Sequence, residues 1–236
     1  MNVIKRIWCN KWIFRSIFYS IYFNFHYLPF KQAIRLPILL YKPHLFRCRG
    51  QVRIVSDNIK FGMIKLGIYG VTIYPNNGIM IQNNGGLIIF KGRCVIGNNS
   101  YISVGKTGKL IFGANFNATA SLKIVAYYKI SFEENVLVGW ENTFVDNDGH
   151  QVTMLDKTVA LPRPYGEVHI GKGCWFAYGS YIMKNTKLPD FCIVSAKSML
   201  NKDYKIPNYS LLAGMPAVLR KTGIYLDKCN DFITVP

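Results

Sequence analysis

The residue in this chain best suited to moving a proton at neutral pH is His150, which closes the run Val145-Asp-Asn-Asp-Gly-His. An imidazole can take a proton from a hydroxyl as that oxygen attacks, the work of a general base. Asp146 and Asp148 precede it closely, and either carboxylate could hold the ring in one tautomer, as could a backbone carbonyl. A lone histidine in a polar run also suits a plain solvated loop. Rivals are few: His26 and His44 stand near the N-terminus, and His169 falls in a predicted strand. A catalytic zinc site of three histidines is not expected, because only His150 and His169 lie in the part of the chain that could converge on one.

What positions His150 is legible in a period. Ile170, Phe176, Ile182, Leu188, Val194 and Leu200 are apolar and recur every six residues. Small residues, Cys174, Ser180, Thr186, Cys192 and Ser198, stand two places before the last five of them. Helices repeat every 3.6 residues and half-buried strands every two, so neither gives a period of six. A chain that turns a corner every six residues does, with one side chain inside each flat side and a small residue at each bend. Three sides make a triangular coil of roughly 18 residues, and stacked coils bury a column that no coil could bury alone. The predicted fold is therefore all-β, a parallel β-helix.

Upstream the register continues through Phe90, Ile96 and Ile102, and again through Phe132, Val138 and Phe144. Between these runs, Gly105 to Tyr128 slips phase, which predicts irregular coils there. Phe144 and Ile170 are not separated by a multiple of six, so Asp146 to Glu167 is expected to loop out. Pro162, Pro164 and the polar start of the segment agree with that. His150 then sits at the mouth of a long loop, and such loops in compact folds are often functional.

The chain of 236 residues divides into an aromatic, basic segment at 1–48, the β-helix at 49–223 and a tail at 224–236. Lys and Arg outnumber Asp and Glu by 29 to 12, a formal charge of +17. That excess calls for acidic partners: anionic lipid, acidic glycan or a polyphosphorylated cofactor. Nucleic acid is not expected, since no helix-turn-helix, zinc-finger or RNA-recognition pattern is present. Six cysteines are scattered singly. Cys174 and Cys192, 18 apart, should stack one coil above the other as small buried residues rather than a disulfide. A reducing, cytoplasmic setting follows.

The first segment reads as a helix. Ile4, Ile7, Trp8, Phe14, Phe18, Ile21, Tyr22 and Phe25 share one broad face, and Arg6, Asn10, Ser16, Ser20 and Asn24 lie opposite. Its longest uncharged stretch, Ser16 to Phe30, is too short and too polar to cross a bilayer. No small-x-small cleavage site follows it, so a secretory signal is not expected. Two roles fit: lying in the membrane interface on the cytoplasmic side, or capping the open end of the β-helix.

Val168-His-Ile-Gly-Lys-Gly-Cys-Trp-Phe-Ala-Tyr-Gly-Ser and the later Ala213-Gly-Met-Pro-Ala resemble the hexapeptide-repeat acyltransferases, over about residues 86 to 223. The resemblance is to the branch of galactoside, maltose, xenobiotic and capsular-polysaccharide O-acetyltransferases. It implies a left-handed β-helix, a homotrimer and acetyl-CoA as co-substrate, with no metal. It also implies transfer to a sugar hydroxyl of a surface polysaccharide or its lipid-linked precursor. His150 follows Val136-Leu-Val-Gly-Trp at the family's catalytic position. By the same resemblance Ala177, Tyr178, Ala196, Asn201, Lys202, Arg220 and Lys221 are expected to meet coenzyme A. Trp140 and Asn115 are expected near the acceptor, although Asn115 reads more readily as a turn residue, and Trp175 is expected as packing. Two alternatives stay open: an N-acetyltransferase of a nucleotide-linked amino sugar, and a non-catalytic β-helix scaffold for glycan assembly. The acceptor sugar, its hydroxyl and the length of the acyl group are not encoded in any pattern found.

Overall fold

A computed structural model describes residues 11–156, 159 and 161–227. The residues through Asn10, with Lys5, Arg6 and Trp8 among them, and residues 228–236 of the tail lie outside it. Two helices, α1 (Lys11–Tyr27) and α2 (Phe30–Ala33), precede a run of short strands that coil from Ile38 to Thr222. From Ile38 to Leu200 every third strand joins the same sheet, which makes three sheets of nine, seven and six strands around one core. All pairings are parallel except that of the last strand, Ala217–Thr222, which runs antiparallel to Ser210–Gly214. The architecture is a left-handed parallel β-helix with an N-terminal helix.

All six hexad positions from Ile170 to Leu200 are buried, and so is the small-residue row beside them. The small polar groups are bonded across the bends: Ser180 Oγ donates to Ser195 O at 3.0 Å, and Thr186 Oγ1 to Met183 O at 2.7 Å. One place before the small row runs a third one. Gly173, Gly179, Asn185, Phe191 and Lys197 all have φ between 54° and 66°, the left-handed twist that turns each corner. Inside, Phe90, Phe112 and Phe132 stack face to face at 5.3 and 5.7 Å, one ring per coil. Cys174 and Cys192 are buried and free, as their spacing suggested.

The slip at Gly105–Tyr128 has a simple cause. Cys94 pairs with Phe116, Asn117 with Leu137 and Trp175 with Ile193, so a coil takes 22, then 20, then 18 residues. The extra residues fall at the corners. The strands Lys109–Phe112, Phe116–Ala118 and Lys123–Ala126 pair without a register shift, so the coils there are longer rather than irregular.

The β-helix also starts earlier than residue 49. Ile38–Leu40 pairs with Ile64–Leu66, and Pro43–Cys48 with Ile79–Asn83, so the first coil lies partly within the aromatic segment. Helix α1 closes this coil with its polar side. Ser20 Oγ accepts from Leu40 N at 2.9 Å and Ser16 Oγ from Lys42 N at 3.0 Å. Asn24 bonds both backbone groups of Ile38. These bonds occupy the outer edge of the first strand, while Phe23, Leu28 and Ala33 plug the core beneath. Among the described residues no helix is long and apolar enough to cross a membrane.

Candidate functional site

The strand Thr143–Val145 of the second sheet and Val168–Ile170 of the third bound the loop at 146–167. Its base is a locked neck. Asp146 is fully buried, and its carboxylate oxygens accept from Tyr127 N and Tyr128 N, each at 2.8 Å. Gly166 N donates back to Asp146 O, Asp148 N to Pro164 O, and Asn147 bridges Tyr165 in antiparallel fashion. Asp148 forms an ion pair with Lys184, whose ammonium also donates to Arg163 O at 3.0 Å.

His150 projects just beyond this neck. It is exposed and makes no hydrogen bond among the described residues. Neither aspartate reaches it: Asp146 holds the neck and Asp148 holds Lys184. Past His150 the loop exposes Val152, Met154 and Leu155. His169, by contrast, is engaged on the outer face of the third sheet, with Nδ1 at 3.0 Å from Ser131 Oγ. Among the described residues no group of three His, Cys, Asp or Glu is placed to hold a metal ion.

Beside the neck, Tyr128, Arg163, Tyr165, Lys187 and Lys202 line an open cavity of about 700 Å³, together with Asn185, Asn201 and the carboxylates Glu167 and Asp203. Its walls mix cations, carboxylates, amides and two tyrosine rings, a lining suited to a polar, sugar-like ligand. The other expected cofactor residues sit elsewhere. Ala177, Tyr178 and Ala196 stack at the corner between the first and second sheets, where Trp140 also lies. Arg220 and Lys221 belong to the terminal hairpin, and the Arg220 guanidinium approaches Gly214, one coil beyond Ala196. Asn115 occupies the remaining corner in the left-handed conformation and donates to Asn135 Oδ1 at 3.3 Å, as a turn residue does. Trp175 lies half-buried on the outer face of the first sheet, beside Leu137 and Ile193, rather than between coils. Within one copy of the chain, then, His150 and the cavity at Lys202 stand on one long edge of the seven-stranded sheet. Trp140, Tyr178 and Ala196 stand on the other.

The second edge holds a cluster that spacing does not reveal. Glu141 accepts from Tyr178 Oη at 2.7 Å and from Tyr74 Oη at 3.0 Å. These hydroxyls hold its carboxyl below the usual range, Tyr178 contributing most. The tyrosines move the other way: burial and Glu141 push Tyr74 up to about 12, and the bond to Glu141 raises Tyr178. Lys197 lies 4.4 Å over the Tyr178 ring, and Trp140 meets Tyr74 edge-on at 6.3 Å. Beneath them the fully buried Asn142 fixes the corner, donating to Ala177 O at 2.8 Å and accepting from Ser180 N at 3.0 Å. Tyr74 arrives from a loop 67 residues upstream, so no local pattern could have paired it with Glu141.

No family model matches the chain. A protein of Klebsiella pneumoniae described as an uncharacterized 24.8 kDa protein in the cps region is 28% identical over 170 residues, which is 71% of this chain and 74% of that protein. Among solved structures, the polySia specific acetyltransferase NeuO superposes with a TM-score of 0.53 at 16% identity, covering 81% of this chain and 91% of NeuO. AntD, an N-acyltransferase from Bacillus cereus, aligns over 78% of this chain and 80% of its own at 16% identity, with a TM-score of 0.35. At such identities the likeness is one of fold: the chain has the left-handed β-helix of the hexapeptide-repeat acetyltransferases.

Proposed function

We propose that this β-helix is an acetyl-CoA-dependent O-acetyltransferase acting on a sugar hydroxyl of a surface polysaccharide or its lipid-linked precursor, with His150 as general base. One observation carries the reading: an exposed imidazole without a hydrogen bond among the described residues, set on a loop whose neck is clamped to the coil by Asp146. The naming of NeuO as a polySia specific acetyltransferase and of the Klebsiella relative by its cps region supports a glycan acceptor. The polar cavity beside the neck, with two tyrosine rings and charges of both signs, supports a sugar ligand.

The two halves of the site on opposite edges of one sheet support a trimer. Side by side, one copy's loop faces its neighbour's Trp140–Tyr178 corner, and Val152, Met154 and Leu155 gain a surface to cover them. The corner suits the arm of coenzyme A. Ala177 and Ala196 leave the backbone approachable, and Lys197 and Arg220 bring positive charge to it. In the reaction the acceptor oxygen attacks the thioester carbonyl as the imidazole takes its proton. A C–O bond forms, the C–S bond breaks, and the departing thiolate recovers the proton from the imidazolium. Holding the reactants together supplies roughly 7–11 kcal/mol at the ideal limit, and the base a further factor of about 10²–10⁴. A cytoplasmic setting fits six cysteines scattered singly along the chain.

The test is purified protein with acetyl-CoA and a panel of glycans, read by product mass. A gain of one acetyl group that alkali removes, lost in His150→Ala, is the expected result. An alkali-stable product would mean N-acetylation, and no product with any acceptor would leave a scaffold.

A further inference from the structure

Helix α1 is mounted in the reverse of the usual sense. A helix on a protein core normally buries its apolar stripe, yet Ser16, Ser20 and Asn24 face inward to bond the first strand. That leaves Phe14, Ile17, Phe18, Ile21, Tyr22 and Phe25 on the outside, 43–66% exposed. Phe30 and Ile34, on and just after α2, extend the patch. An apolar groove of about 390 Å³ between α1, Leu36, Leu39 and Phe61 continues it. A contiguous apolar surface of this kind marks a binding face.

Charge selects the occupant. The first 56 residues contain ten Lys and Arg and no Asp or Glu, Asp57 being the first acid in the chain. Arg15, Lys31 and Arg35 are exposed beside the patch. A second copy on this face would bring two such basic segments together, which like-charge repulsion opposes. An anionic bilayer satisfies both properties: aromatic rings settle at headgroup depth, and each nearby cation adds attraction. We infer that the outer face of α1 and α2 lies on an anionic lipid bilayer and stands the β-helix on the membrane by its N-terminal end.

The orientation follows from the cap. α1 covers the first coil, which holds an edge strand of every sheet. Thr143–Val145 is the fifth strand of its sheet from that end, so at roughly 4.8 Å per strand the loop with His150 stands about 20 Å above the capped coil. This builds on the lipid-linked acceptor proposed above: the site meets sugars held well clear of the lipid anchor rather than those next to it.

The experiment is co-sedimentation of the full chain with vesicles of phosphatidylcholine alone and of phosphatidylcholine with an equal part of phosphatidylglycerol. Binding is expected on the second and not the first. Phe18→Ser with Phe25→Ser should lower partitioning about tenfold or more. Arg15→Gln and Arg35→Gln should lower it about fivefold each at low salt. Thermal stability and transfer to a soluble glycan should be unchanged in all of them. The inference is overturned if neither vesicle binds, or if the serine variant binds like the parent. It is also overturned if that variant instead lowers the mass of the particle in light scattering, which would make the face a contact between copies. Failure of the parent to acetylate any glycan, with vesicle binding intact, would overturn the enzyme reading and leave this one standing.

Discussion

Asn24 treats Ile38 as a neighbouring strand would: its Nδ2 donates to Ile38 O at 2.7 Å and its Oδ1 accepts from Ile38 N at 3.1 Å. One buried side chain thereby closes a backbone edge that would otherwise face either water or another sheet. Asn24→Ala should leave both groups unmatched and cost about 1–3 kcal/mol. Chemical denaturation with a midpoint shift at unchanged slope would verify it, and Asn24→Asp, which sets a buried carboxylate oxygen against the Ile38 and Ser20 carbonyls, should cost at least as much.

His150 and Asp146 are four residues apart and should fail in opposite ways. His150→Ala is expected to lower kcat/KM by about 10²–10⁴-fold with no change in stability. Asp146→Ala removes the acceptor for Tyr127 N and Tyr128 N and should destabilise the fold by about 1–3 kcal/mol, with activity lost through a disordered neck. Paired kinetics and melting curves separate the two, and Asp148→Asn, which breaks only the pair with Lys184, should disturb both less.

The stacked rings of Phe90, Phe112 and Phe132 predict a large cavity effect at the middle of the coil. Phe132 is fully buried between coils of different length. Phe132→Ala should cost about 3–5 kcal/mol. A loss below 1 kcal/mol in denaturant unfolding would show that the neighbouring coils close the gap.

Glu141 gives the second edge a dependence on acid. Its carboxyl is depressed by Tyr178 and Tyr74, so its stabilisation is complete above the ordinary glutamate range, near about 4.3. It fades as the pH falls through the lower value of the folded state. Because the group is close to solvent the gain is small, at most about 1 kcal/mol. Melting curves should show Glu141→Gln less stable than the parent at pH 7, with the gap closing in stronger acid.

The sequence alone determined the repeat and what interrupts it. Each inward residue from Ile170 to Leu200 is placed by its immediate neighbours, so a period of six is a local property that composition can carry. The loop at 146–167 was legible for the same reason, as a break in that period with a polar start and two prolines near its end. The start at Ile38 was not, because the first coils carry long corners that erase the spacing: Ile38 pairs with Ile64 and Pro43 with Ile79. Three matters were decided only by the tertiary structure. The helical face made by Ser16, Ser20 and Asn24 was visible, but whether it met water or the protein depended on an exposed strand edge whose need for hydrogen bonds exceeded the helix's need to bury its rings. The partners of Asp146 and Asp148 lie 18 to 36 residues away, and a carboxylate goes to the donors its loop encounters rather than to the nearest histidine in the sequence. Finally, His150, Trp140 and Asn115 came to three different corners. In a coil, distance along the axis follows the number of turns, but the side on which a residue emerges follows its phase within the turn, and every long corner resets that phase.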